Sequence, residues 1–272
     1  MSFKLVENFL FIKTKGNFMI NINYIIAIAS GKGGVGKSTI TANLALAMNV
    51  KGYKVGLLDA DIYGYSQSTI LNVKKKIFIN KKKRIQPIPY YGIKAMSLGF
   101  IVKKQTKAII GRGPIISKLL VDLFTNTNWG YLDYLFIDMP PGTGDIMLSI
   151  SKSISVSGVI IITTPQDVSL LGAFKGINMF NKIKIPIIGL IENMSYYTCK
   201  SCGYSTSIFN NKYNNILKKY KIKKIGCFAL HKTLCDKKPI LIAKPNSKIS
   251  VFLKVIADIV DIKLKPQFRI GL

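Results

Sequence analysis

Gly31-Lys32-Gly33-Gly34-Val35-Gly36-Lys37-Ser38-Thr39 is the stretch on which the fold turns. It fits the pattern G-x-x-x-x-G-K-[ST]. An apolar run from Tyr24 to Ala29 precedes it, and an Ala/Leu-rich helical segment follows through Met48 and stops near Gly52. Strand, glycine loop and helix in that order make a P-loop. The glycines let the backbone curl so that successive N–H groups turn inward, and the helix adds the partial positive charge of its N-terminus. In such a cradle for ATP, Lys37 reaches the β- and γ-phosphates, Ser38 ligates Mg²⁺, and Thr39 sits beside the α-phosphate.

The rest of the sequence repeats the strand-and-helix pattern. Lys54 to Leu58 ends in Asp59 and Asp61, Tyr134 to Ile137 in Asp138, Gly158 to Thr163 in Pro165, and Ile187 to Ile191 in Glu192 and Asn193. Short, nearly continuous apolar runs separated by helical segments such as Ser169 to Asn181 predict βαβ units. The fold class is therefore α/β, with a doubly wound, mostly parallel sheet whose ligands bind at the carboxyl ends of the strands. A last helix is predicted from about Ser247 to Asp261. One P-loop domain over residues 22–272 is expected, preceded by an arm or edge strand over 1–21. Lys74 to Arg84 reads as a lysine-rich loop.

The composition suits this fold. Of 272 residues 49% are hydrophobic and 19% charged, which is ordinary for a folded domain and excludes disorder as the default. No apolar stretch approaches the roughly 20 residues that a membrane-spanning helix needs. The N-terminus, with Lys4, Glu7, Lys13 and Lys15 among its apolar residues, does not read as a secretory signal. A cytoplasmic protein without a membrane partner is expected. The formal net charge of +28 raises a nucleic-acid or anionic-membrane surface. Abundant Lys, Ile, Asn, Tyr and Phe together instead favour an A+T-rich coding bias, with lysine on solvated faces and no nucleic-acid role.

Cys199-Lys200-Ser201-Cys202-Gly203 lies just after the Asn193 strand, beside Tyr196 and Tyr197. In a cytosolic protein the C-x-x-C spacing points to metal or redox chemistry. A zinc ion or a [4Fe–4S] cluster ordinarily takes four protein ligands, so one copy is two sulfurs short. A homodimer with its twofold axis through the motif makes a four-cysteine site. Cys227 and Cys235 read as small apolar residues, His231 as a surface or turn residue, and Trp129 as core.

Lys32, a second lysine inside the loop, resembles the deviant P-loop ATPases of the MinD/ParA/nitrogenase-iron-protein class. That resemblance implies that Lys32 crosses a dimer interface to the partner's phosphates. Asp59-Ala60-Asp61-Ile62-Tyr63-Gly64 looks like the first switch of the class, with Asp61 orienting or activating the attacking water and Asp59 supporting the magnesium shell. Asp138-Met139-Pro140-Pro141-Gly142-Thr143-Gly144-Asp145 resembles the Walker B and second-switch segment, with Asp138 in the Mg²⁺ shell. Asn193 stands where the class contacts adenine.

Those segments, with Gly111-Arg112-Gly113-Pro114, Trp129-Gly130, Gln166-Asp167-Val168 and Glu192 to Cys202, together resemble the Mrp/ApbC-type iron–sulfur cluster carriers from about Ile25 to about Pro245. The family implies assembly or transfer of clusters to apoproteins, with slow ATP hydrolysis. Three departures stand out. An additional N-terminal domain, which many members carry, is not expected here. Tyr65 replaces a usual Pro, and Ala229 and His231 stand in place of a Pro-Leu-Asp turn. Competing readings are a positioning or partitioning ATPase acting on DNA or membrane, an ATP-driven electron-transfer protein, and a structural zinc dimer.

Overall fold

The computed structural model describes residues 21–61, 64, 67, 70–71, 78–80, 84–100, 113–199, 201–209, 217, 220–231, 234 and 238–265. Residues 1–20 of the expected arm, Tyr65, most of the lysine-rich loop, Gly111, Arg112, Lys200 and Cys235 lie outside the described residues.

The apolar run before the glycine loop forms β1 (Ile22–Ser30), and the loop leads into α1 (Lys37–Val50). There follow β2 (Val55–Asp59), β3 (Ile88–Tyr90), β4 (Ile93–Ser97), α2 (Gly113–Asn126), β5 (Leu132–Asp138), α3 (Asp145–Ser153), β6 (Gly158–Thr163) and α4 (Asp167–Lys182). After these come β7 (Ile187–Glu192), β8 (Tyr196–Thr198), β9 (Ser205–Ser207), β10 (Lys224–Cys227), α5 (Ile240–Ala243) and α6 (Lys248–Leu264).

Eight strands form one sheet in the order β10-β7-β6-β1-β5-β2-β4-β3, and every pairing is parallel except β3 with β4. Alternate residues of β1 enter opposite cores. Ile26 and Ile28 pack with α1, α5 and α6, whereas Ile25, Ala27 and Ala29 pack with α2, α3 and α4. Burial on both faces explains why the strands read as continuous apolar runs rather than alternating ones.

β1 lies between β5 and β6, so the backbone leaves it to one side for β2 and reaches β6 on the other. The carboxyl end of β1 is thus a topological switch point, where ligands of such sheets bind. The register sets Asp138 of β5 beside Asp59 of β2 and Ile28 of β1. Both carboxylates therefore arrive at the strand ends next to the glycine loop. Trp129 is buried, and its indole N–H donates to Phe124 O at 2.9 Å.

Candidate functional site

The loop's shape depends on two glycines. Gly36 has φ of 85°, and a Cβ there would meet Asn193 Nδ2 at 2.3 Å. Gly31 lies flat against α4, where a Cβ would stand 2.0 Å from the Gly172 carbonyl carbon. Backbone thus packs directly on backbone, which only glycine at both positions allows. The N-cap residue, Gly36, offers no side-chain cap to the first turn of α1, whose N–H groups remain available to an anion.

Lys37, 6% exposed, pairs with the wholly buried Asp138 and lies 3.8 Å from Asp61 Oδ2. Thr41 Oγ1 also donates to Asp138 Oδ1, at 3.3 Å. Asp59 Oδ1 accepts from Asp61 N at 3.1 Å, while its Oδ2 accepts from Gln67 N at 3.2 Å and from Ser97 Oγ at 3.0 Å. One lysine thus faces three carboxylates. Burial first, and then the charge of Asp138, push the Asp59 carboxyl up to about 8, against the pull of Lys37, the Asp61 N–H and the Ser97 hydroxyl.

The residues fit a hydrated magnesium. Ser38 is buried beside these acids, and Gln67, 1% exposed, has an amide oxygen with no hydrogen-bond partner. Among the described residues no group of three or more His, Cys, Asp or Glu forms a ready-made metal cage. Magnesium commonly takes only one or two carboxylates and completes its shell with phosphates and water, so a partial protein shell suits it.

Beside the loop, Gly36, Thr39, Asn193, Met194, Leu230 and Leu234 line a half-open cleft, which Ala229 and His231 also border. Asn193 Nδ2 donates to Val35 O at 2.9 Å, and its buried Oδ1 has no partner. An acceptor is thereby left for an amino group of a base. Lys32, within the loop, is exposed.

Cys199 and Cys202 lie apart from the acid cluster, on the turn of the antiparallel β8–β9 hairpin. Cys199 N donates to Tyr204 O at 2.9 Å, and Gly203 N to Cys199 O at 3.0 Å. Backbone N–H groups of Cys202 and then Ser201 hold the Cys199 thiol below its ordinary range, so the tight turn favours thiolate. Tyr196, Tyr197 and Tyr204 are exposed around it. Cys227 is separate, its Sγ donating to Glu192 Oε1 at 3.8 Å. The hairpin is tied to the cleft through the backbone: Leu230 N donates to Tyr196 O at 2.8 Å, and Ser195 N to Phe228 O at 2.9 Å.

Gln67, Ser97, Thr41 and Gly172 belong to this neighbourhood and stand out in no motif. For Gly172 there is one clue, because a second glycine, Gly176, sits nearby in the same helix. Helix-interior glycine costs stability unless close packing requires it.

Loop, sheet order and acid cluster define the class as a P-loop NTPase of the MinD/ParA type. Cell division ATPase MinD from Pyrococcus furiosus shares the fold at 22% identity, with a TM-score of 0.64 over 89% of this chain and all (100%) of that one. A nucleotide-binding protein from Archaeoglobus fulgidus, solved in complex with ADP, is 31% identical with a TM-score of 0.66, covering 92% of this chain and 93% of that one. The iron-sulfur cluster carrier protein of Aquifex aeolicus is 40% identical over 253 residues, which is 89% of this chain and 70% of the relative. The iron-sulfur cluster transfer protein NUBPL of Dictyostelium discoideum is 43% identical over 233 residues, covering 83% of this chain and 72% of the relative. The family model of the ParA-type NUBPL iron-transfer P-loop NTPases matches residues 21–261, and the chain belongs to that family. No helix among the described residues is long and apolar enough to cross a membrane.

Proposed function

We propose that the protein is an ATP-dependent iron–sulfur cluster carrier in which two copies share one [4Fe–4S] cluster through Cys199 and Cys202 and deliver it to apoproteins. Family membership supports the cargo, and so do the names borne by the Aquifex aeolicus and Dictyostelium discoideum relatives. One observation carries the reading: the cysteine hairpin hangs by backbone hydrogen bonds from Phe228 and Leu230, and Leu230 lines the nucleotide cleft. A cluster held by one side of that segment is mechanically close to a nucleotide held by the other.

In this reading residues 22–272 act as one ATPase domain in the cytoplasm. Lys37 leaves its carboxylate partners and turns to the β- and γ-phosphates. Ser38, Asp59 and Asp138 hold the magnesium shell, and Asp61 orients the attacking water. A bound magnesium would supply charge neutralisation at the phosphate oxygens. Asn193 accepts from the adenine amino group through its open Oδ1, while Thr39 lies beside the α-phosphate. Exposed Lys32 reaches the partner's nucleotide, so the same dimer completes both the ATP site and the thiolate set. Hydrolysis is slow and serves cluster release.

The test is cluster transfer. Protein reconstituted anaerobically with iron and sulfide should turn brown, activate an apo-enzyme that needs a [4Fe–4S] cluster, and do so faster with ATP. Cys199→Ser should abolish both colour and transfer. A colourless protein that binds zinc instead would support a structural zinc dimer.

A further inference from the structure

Gln67 is a buried polar side group next to the phosphate loop whose bonding is incomplete. It lies a few residues beyond Asp61 and is 1% exposed. Its backbone N–H donates to Asp59 Oδ2 at 3.2 Å, and its Nε2 donates to Ser38 O at 2.8 Å and to Asp138 Oδ2 at 3.0 Å. One residue therefore joins the switch segment, the P-loop helix and the strand-end carboxylate of β5.

The orientation of this amide is fixed by chemistry. A backbone carbonyl cannot donate, and Asp138, paired with Lys37, is held as an acceptor. The two atoms facing Nε2 thus both require a donor, so the nitrogen cannot exchange places with the oxygen. Oε1 is left on the remaining side of the amide carbon, buried, with no hydrogen-bond partner. A carbonyl oxygen sealed from bulk water costs free energy until a donor arrives. Among the described residues no group donates to it. A hard, uncharged oxygen among carboxylates suits the water shell of a small divalent cation, which keeps several waters and needs acceptors to orient them.

We propose that Gln67 is a positioning residue for magnesium, its Oε1 accepting from the hydrated cation while its Nε2 holds Asp138 and the Ser38 backbone in place. This rests on the reading of the P-loop as a magnesium–nucleotide site. It makes the metal response of the site depend on a residue outside the P-loop and outside every carboxylate.

The experiment is ADP titration by calorimetry, once in excess EDTA and once in magnesium, on the wild type and on Gln67→Met, which keeps the length of the side chain. Thermal unfolding is measured alongside. The wild type should bind more tightly in magnesium. Gln67→Met should weaken ADP binding roughly tenfold more in magnesium than in EDTA, the scale seen when an outer-shell partner of a metal ligand is removed. Electron paramagnetic titration with Mn²⁺ in the presence of ADP should show the same weakening without reference to turnover. An unchanged magnesium gain in Gln67→Met overturns the proposal. So does an equal loss in EDTA and in magnesium, which would mark Gln67 as a structural tie alone. Gln67→Leu gives the same comparison should the methionine variant fail to fold. Wild-type protein that bound no ADP in either buffer would sink the nucleotide reading itself, a result distinguishable from failure at Gln67.

Discussion

Gly172→Ala tests whether the phosphate loop is set by direct contact with α4. In an exposed helix interior this change normally stabilises by about 0.5–1 kcal/mol, because alanine restricts the unfolded state and favours helix. Here the new Cβ would stand 2.8 Å from Gly31 O and 2.9 Å from Gly31 C and Cα. Those are backbone atoms of the loop and cannot swing aside as a side-chain tip would. Reaching ordinary contact needs a shift of about half an ångström, and overpacking of this kind costs about 1–3 kcal/mol. The sum is a net loss of about 0–2 kcal/mol, or up to several degrees in Tm for a domain of this size. Gly176→Ala is the control within the same helix, since its Cβ would find only Thr143 Cγ2, at 3.8 Å. It should be stabilised. Differential scanning calorimetry of the two variants should therefore give shifts of opposite sign, and calorimetric titration should show ADP binding weakened about tenfold or more in Gly172→Ala alone. Equal stabilisation of both variants with unchanged ADP affinity would refute the reasoning.

Lys37→Ala should abolish nucleotide binding in a filter assay. It should also destabilise the nucleotide-free protein by about 3–5 kcal/mol, because Asp138 is left buried without its cation. The raised Asp59 carboxyl gives a pH dependence whose sign follows from the direction of the shift. The fold favours the protonated form, so this group's stabilising contribution is complete below its ordinary value of 3.8, is lost progressively as pH rises, and is gone above about 8. Metal-free wild type should accordingly lose about 2–3 kcal/mol between about pH 6 and about pH 8.5 relative to Asp59→Asn, as read from paired melts; parallel profiles would remove Asp59 as the cause. Cys199, held toward thiolate by the turn N–H groups, should be alkylated by iodoacetamide faster than Cys227 near neutral pH, as mass mapping of peptides would show.

The strands that deliver chemistry were legible because burial on both faces leaves uninterrupted apolar runs, and because the acids come immediately after them. The apolar runs ending at Ala29, Leu58 and Ile137 fall one residue short of the strand ends at Ser30, Asp59 and Asp138, so the two acids close their strands. β3 and β4 were not legible. Their turn, Tyr91-Gly92, has φ of 43° and 86°, and a tyrosine in the first position lacks the Asn or Asp that advertises such a hairpin. β10 is four residues long at the sheet edge, too short for periodicity to declare it.

Within the site, the P-loop could be read because one continuous segment builds it. Gln67 could not, since its bonds reach Ser38 and Asp138 across 29 and 71 positions of sequence. Ser97 meets Asp59 across 38 positions, through the pairing of β4 with β2. Such contacts are products of strand order, and strand order is written in no local pattern. The cysteine pair announced itself by spacing, whereas its backbone tie to the nucleotide cleft became visible only in the folded protein.

The most direct test of the account is native mass spectrometry of anaerobically reconstituted protein. The account predicts a species of two protomers plus a single [4Fe–4S] cluster, absent from Cys199→Ser and from Cys202→Ser. A cluster-bearing monomer, or a dimer whose cluster survives both substitutions, would contradict it.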